Sequence, residues 1–294
     1  MDLRTGAVSR PASGRTLVFF GAHPDDETFG LGATLAQYAA AGVKVYYACA
    51  TRGEAGSTDP ENMKGFASMG DLRWHELECA AKELGLAGVV YLGYRDSGMP
   101  GTPDNTHPLA LAAAPVDQVT GRMVKVIREL KPQVALTFDP IGGYRHPDHV
   151  AVHNAAVRAF EAAANPGSYP EAGAPHRAQK LYFPVFSHRA LRLMVRLMPL
   201  FGRDPRRSGR NKDIDLTAIA SIDFPVHAVI RLTKAAMAVR DRASDCHASQ
   251  LGGRPPPGGL LRLFDTFSGT RDYFMRAYPP PGKRRERDLF EGVA

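Results

Sequence analysis

Along the first 165 residues, continuous apolar runs of four to seven residues alternate with longer stretches whose apolar positions recur at helical spacing. Thr16-Leu17-Val18-Phe19-Phe20 ends in Gly21-Ala22 and has the character of a strand buried on both faces. Leu31 to Ala41 is Ala-rich and helix-favouring, with Gly42 placed to end it. Val43 to Cys49 predicts a second strand, Asp71 to Leu84 a helix closed by Gly85, and Val89 to Leu92 a third strand. Val116, Val119, Met123, Val126, Ile127 and Leu130 keep helical spacing up to Lys131-Pro132. Val134 to Phe138 then predicts strand four, and a helix runs from Pro147 to about Ala164.

Strands alternating with helices imply right-handed βαβ units. The expected fold is therefore α/β: a Rossmann-like, mostly parallel sheet with helices on both faces, plus a smaller C-terminal part. Beyond residue 165 the pattern weakens. Leu181 to Phe183 and Leu216 to Ile222 suggest strands, and Pro225 to Asp245 a helix. Gly93 to Pro108 carries no periodicity and suggests a long loop, and Arg189 to Lys212 and Gly252 to Gly259 suggest excursions. The expected division is a loose arm over 1–14, a Rossmann-like catalytic core over 15–165, and a part over 166–294 that completes the pocket.

Composition changes this picture little. Of 294 residues, 44% are hydrophobic and 23% charged, ordinary values for a chain with a sizeable core. No run approaches the ~18 apolar residues of a membrane span, and Met1-Asp2-Leu3-Arg4 does not begin like a secretory leader. Cys49, Cys79 and Cys246 are too few and scattered for a disulfide framework or a cysteine zinc site. The expectation is a reduced, cytoplasmic protein. The net charge of +7 is local, because Arg189 to Lys212 holds eight basic residues and one acid and the remainder is neutral. A nucleic-acid surface would instead spread basic residues over a face, interleaved with aromatics. Met194-Val195 and Leu197-Met198 among the arginines suggest an amphipathic lid, in preference to a membrane contact.

Two constellations carry chemistry. His23-Pro24-Asp25-Asp26-Glu27 follows strand one directly, at the carboxyl end where open α/β sheets bind ligands. Three adjacent carboxylates would repel a phosphate, and Gly30-x-Gly32 lacks the third glycine of a dinucleotide loop. A metal ion beside His23 would compensate the carboxylates. The plainer alternative is an acidic first helical turn capped by Thr28.

Tyr144-Arg145-His146-Pro147-Asp148-His149 follows strand four, with Pro147 placed as first helical residue and His146 as cap. His146 and His149 project from one turn, while His153, one turn on, makes a His149/His153 pair a competing ligand choice. Taken alone, the run equally suits two surface histidines at a helix start. Because both clusters follow parallel strands, they can meet in one crevice. Two histidines and a carboxylate leave coordination positions open, as a catalytic metal requires.

Ala22-His23-Pro24-Asp25-Asp26-Glu27 together with His146-Pro147-Asp148-His149 closely resembles the PIG-L/LmbE-like zinc deacetylases, which remove acetyl from N-acetylglucosamine-type sugars. Thr51-Arg52-Gly53-Glu54, Arg73-x-x-Glu76-Leu77, Gly93 to Met99, Gly142-Gly143-Tyr144, His247-Ala248-Ser249-Gln250 and Asp288-Leu289-Phe290 are similar to the same family, so the likeness spans nearly the whole chain. Tyr94-Arg95-Asp96-Ser97-Gly98-Met99 points toward the branch acting on mycothiol and bacillithiol precursors.

The resemblance implies His23, Asp26 and His149 as ligands of Zn2+, with Fe2+ also compatible. It implies Asp25 as general base and His146 as electrophilic partner, protonated to stabilise an oxyanion. Asp148 would orient His146 and favour its charged form, or simply cap the helix. Tyr144 would swing onto the oxyanion from its Gly-Gly hinge. Glu54, Arg73 and Asp96 would bind sugar hydroxyls.

The implied partner is a small amino-sugar conjugate, with no nucleic acid and a homo-oligomer left open. Competing readings are an amidase on a thiol-cofactor conjugate, a deacetylase of another amino sugar, a non-haem iron oxygenase and a non-catalytic sugar binder. The group on the sugar is open between malate, inositol and others. The arginines of the excursion would favour an anionic one.

Overall fold

A computed structural model describes residues 14–185, 188–208, 215–251 and 270–294. Apart from Gly14, the expected arm lies outside the described residues, as does the Gly252–Gly259 excursion. In chain order the elements are β1 (Thr16–Gly21), α1 (Asp26–Phe29), α2 (Gly32–Ala40), β2 (Lys44–Cys49), α3 (Met69–Leu84), β3 (Gly88–Tyr91), α4 (Val116–Leu130) and β4 (Val134–Thr137). They continue with α5 (Gly142–Arg145), α6 (Pro147–Ala162), β5 (Lys180–Val185), α7 (His188–Leu197), α8 (Leu216–Ala220), β6 (Ala228–Arg231), α9 (Lys234–Cys246), α10 (Ala248–Leu251) and β7 (Arg271–Tyr278).

The strands described form one seven-stranded sheet in the order β3-β2-β1-β4-β5-β7-β6. The first five are mutually parallel, and β7 and β6 add antiparallel at the end of the order. The mostly parallel Rossmann-like sheet is thus as the alternation of elements predicts. β1 is buried at every position, which is why its apolar run is continuous. Helices α2, α3 and α9 pack as one group, and α4 with α6 as another. Local signals end the helices where expected: Gly85 closes α3 in a left-handed conformation, and Lys131 does so for α4 just before Pro132.

Three expectations fail. Leu216 to Ile222 contains the helix α8, not a strand, because Asp215 accepts hydrogen bonds from the Thr217 and Ala218 amides and starts a turn there. Pro225 to Asp245 is not one helix. Ala228–Arg231 pairs with β7, and α9 begins only at Lys234, capped by Thr233. The cysteines are not all reduced: Cys79 and Cys246 form a disulfide across a separation of 167 residues. Packing of α3 on α9 brings the two together, a juxtaposition that spacing along the chain does not reveal. Cys49 is free and buried. Among the described residues no helix is long and apolar enough to cross a membrane.

Candidate metal and catalytic site

β1 and β4 are parallel neighbours in register from Leu17–Val134 to Phe20–Thr137, and the chain leaves them toward opposite sides of the sheet order. Such a switch point opens a crevice at the carboxyl ends of the strands. Both histidine-aspartate clusters empty into it. Gly21 ends β1 because the Tyr47 side chain occupies the space a side chain would need, and Tyr47 donates to the His23 carbonyl at 2.7 Å.

Asp26 opens α1 and its Oδ2 accepts from the amides of Ala22 (3.0 Å) and His23 (2.9 Å). Asp26 Oδ1 lies 3.4 Å from His149 Nε2, which lies 3.3 Å from His23 Nδ1, and that atom lies 3.9 Å from Asp26 Oδ2. Four ligands at zinc distances of about 2.0–2.1 Å stand about 3.3 Å from one another in a tetrahedron. The outer nitrogens also suit a metal: His23 Nε2 is 3.1 Å from Asp148 Oδ2, and His149 Nδ1 is 3.2 Å from the Gly142 carbonyl. Each ring gives its far N–H to an oxygen and so keeps the near nitrogen's lone pair for the triangle. The donor set therefore fits a divalent ion. Ligand atoms of His23, His146 and His149 also lie within 4.8 Å of one another, as do those of His23, Asp96 and Asp148.

His149 can come this close because position 142 is glycine. Its φ is +65°, and a Cβ there would sit 2.7 Å from His149 Cβ. Asp139 holds the turn by accepting from the Ile141 and Gly143 amides, both at 3.0 Å. His153 stays outside: its Nδ1 meets the Phe138 carbonyl at 2.8 Å and its ring faces Phe183.

Asp25 adopts φ 126°, ψ −26°, a strained conformation for a residue other than glycine. Its Oδ2 accepts from Arg73 Nη2 at 2.9 Å, and its amide donates to Glu27 Oε2 at 2.9 Å. Burial pushes its carboxyl up to about 6, although Arg73 opposes the shift. Arg73 is itself buried and also donates to the carbonyls of Pro24 (2.8 Å) and Gly53 (3.1 Å).

His146 caps α6, with Nδ1 accepting the Asp148 amide at 3.2 Å. Burial, then the fields of His23 and His149, push its imidazole down to about 3. Burial thus opposes the protonated form the sequence suggests, and because Nδ1 accepts an amide the ring's proton lies on Nε2. The Asp148 carboxylate binds His23 and the Ser97 amide (2.9 Å), not the His146 ring. Tyr144 sets its ring 5.0 Å from His149 and 5.9 Å from His146, backed by Leu191 of α7 and Ile219 of α8. Burial keeps its phenol protonated well past the usual range.

The three residues expected to hold sugar hydroxyls are all drawn into this network. Asp96 Oδ1 accepts from the Gly98 amide at 2.8 Å and lies 3.4 Å from His23 Nε2. Burial alone would raise its carboxyl, but His23 and its other partners hold it well below the ordinary range. Glu54 Oε2 accepts the Asp96 amide at 3.0 Å. Two buried residues given no role by sequence reasoning, Glu27 and His247, pair behind Asp25 at 2.7 Å. They are 220 positions apart, and only the weak His247-Ala248-Ser249-Gln250 likeness hinted at the second.

The family model described as PIG-L, GlcNAc-PI de-N-acetylase, matches residues 18–160. A 1D-myo-inositol 2-acetamido-2-deoxy-alpha-D-glucopyranoside deacetylase from Streptomyces avermitilis is 37% identical, covering 95% of this chain and 98% of its own. One from Frankia casuarinae, numbered 1, is 40% identical over 100% of this chain and 99% of its own. The N,N'-diacetylchitobiose deacetylase of Pyrococcus horikoshii shares the fold, with a TM-score of 0.61, 19% identity, and coverage of 89% of this chain and 83% of that one.

Proposed function

Because this chain belongs to the GlcNAc-PI de-N-acetylase (PIG-L) family, we propose that it hydrolyses the N-acetyl group of an N-acetylglucosamine conjugate of the thiol-cofactor precursor type. The observation that carries the reading is the triangle of His23, Asp26 and His149 with Asp25 held beside it. The names of the full-length relatives favour inositol as the group on the sugar. The anionic alternative rests only on the arginine-rich excursion, where Arg192 is already engaged with the Ala220 carbonyl.

His23 Nδ1, Asp26 and His149 Nε2 would hold the metal, zinc or iron(II), with Asp148 and the Gly142 carbonyl fixing the two rings. When bound, the ion supplies Lewis-acid polarisation and makes water more acidic. Asp25, titrating near 6, is ionised at neutral pH and takes the proton of the attacking water. The same carboxyl then returns that proton to the leaving amine. His146, neutral with its proton on Nε2, donates to the developing oxyanion, with the Tyr144 hydroxyl as a second donor. Arg73 keeps Asp25 in place, and Asp96 and Glu54 line the crevice where the sugar enters.

Acetate release measured on N-acetylglucosaminyl-inositol, on the malate conjugate and on free N-acetylglucosamine, with and without a chelator, tests the reading. Release from the inositol conjugate that stops with chelator is expected. Chelator-resistant release removes the metal, and inactivity on all three removes the sugar.

A further inference from the structure

Glu27 and His247 are both fully buried, yet neither belongs to the ligand triangle nor to the proton-transfer groups. Glu27 follows Asp26 in α1, and His247 is the single residue linking α9 to α10. His247 Nε2 donates to Glu27 Oε1 at 2.7 Å, and Thr28 Oγ1 donates to the same oxygen at 2.6 Å. The other oxygen, Oε2, accepts the Asp25 amide. The link is anchored on both sides of His247. Cys246 is bonded to Cys79 of α3, and Ser249 donates to Glu76 of α3 through its amide (2.8 Å) and hydroxyl (2.6 Å).

This arrangement answers why Asp25 can sit at φ 126°. A non-glycine residue keeps such a backbone only where its surroundings over-determine it. Arg73 grips the Asp25 carboxylate and the preceding carbonyl, but neither contact restrains the Asp25 N–H. Glu27 does. Its Oε2 can stay aimed at that N–H only if the rest of the carboxylate is held, and His247 Nε2, from across the site, and Thr28 Oγ1 hold Oε1.

We propose that His247 is a positioning residue: acting through Glu27, it locks the Asp25 backbone in the conformation that keeps the Asp25 carboxylate in the site. The reaction part of this rests on Asp25 being the proton-transfer group; the structural part does not. A group so placed affects turnover and leaves sugar binding alone, and displacing a reacting group by about 1 Å costs on the order of 10²-fold.

The test compares the metal-loaded protein with His247→Ala, which removes the donor, and His247→Gln, which returns an N–H near the Nε2 position. In crystal structures the Ala variant is expected to lose the Asp25–Glu27 hydrogen bond and its positive φ at Asp25, and the Gln variant to keep both. Metal content and KM should stay near parental values in both. The Ala variant should lose kcat by about 10²-fold, and the Gln variant should recover most of it. An Asp25 backbone unchanged in the Ala variant overturns the proposal, as does a Gln variant no better than Ala in kcat or one that loses metal alongside it. Should the Ala variant not fold, the Gln variant decides on Asp25 geometry and kcat. A parent protein that releases no acetate would refute the functional reading, and the crystal structures would still decide the positioning.

Discussion

Replacing Asp148 by alanine removes the nearer of two carboxylates that face His23 Nε2, at 3.1 Å against 3.4 Å for Asp96. The Asp148 carboxylate is fully buried and receives two hydrogen bonds, from His23 Nε2 at 3.1 Å and the Ser97 amide at 2.9 Å. Without it the His23 ring can turn, or shift its proton to Nδ1, the nitrogen that faces Asp26 and His149. Loss of such an outer partner typically weakens metal binding 10–100-fold, about 1.4–2.7 kcal/mol. Asp148→Asn keeps one acceptor oxygen and should fall near the lower end. The assay is competition for zinc between the metal-free protein and a chromophoric chelator, with melting curves of the metal-free variants as a folding control. A different outcome follows if Asp148 serves His146, as the sequence suggests, or only caps α6. In the first case kcat falls while zinc affinity stays within about threefold, and in the second only the melting temperature moves. Either result refutes the assignment to His23.

Asp25→Asn should retain a full complement of metal and lose about 10²–10⁴-fold in kcat; metal content beside acetate-release kinetics decides, and a variant within a few-fold of the parent removes Asp25 as the base. Gly142→Ala places a methyl 2.7 Å from His149 Cβ at a left-handed φ, so zinc affinity should fall, and unchanged affinity in the chelator assay counts against His149 as a ligand. Burial lifts Asp272 to about 6, so the folded chain binds more protons there than the unfolded one between about pH 4 and 6. Its contribution to stability is lost as pH rises through that window, and Asp272→Asn, which can still accept from Thr34, should flatten the slope in urea titrations at several pH values; an equal slope disproves the shift. Reducing Cys79–Cys246 frees a loop of 167 residues, and stability should drop by about 2–4 kcal/mol. An identical melting curve with and without dithiothreitol would show that the link adds nothing.

The alternation of apolar runs and helical stretches was enough to place β1 to β4 and the helices between them, because β1 and β4 are buried throughout and α3 and α4 end on the local signals Gly85 and Lys131-Pro132. The C-terminal part resisted the same treatment. Leu216 to Ile222 and Ala228 to Arg231 are short apolar runs whose type is set by what they meet, a capping Asp215 in one case and the edge of β7 in the other. The two His/Asp clusters were legible for the same reason as the strands: each directly follows a strand end, so its position in the crevice is a local consequence of the chain path.

The chain alone puts two His/Asp clusters at strand ends beside the crevice. How those residues pair is settled by packing between elements far apart in sequence. Asp148 turns to His23 and not to its neighbour His146, and Arg73 and Asp96 engage Asp25 and His23. His247 reaches Glu27 across 220 residues, and Cys246 beside it reaches Cys79. A hydrogen bond between buried groups depends on which side chains the packing of α3, α9 and the sheet brings within about 3 Å. Spacing along the chain carries that information only within an element, and these partners lie on different ones.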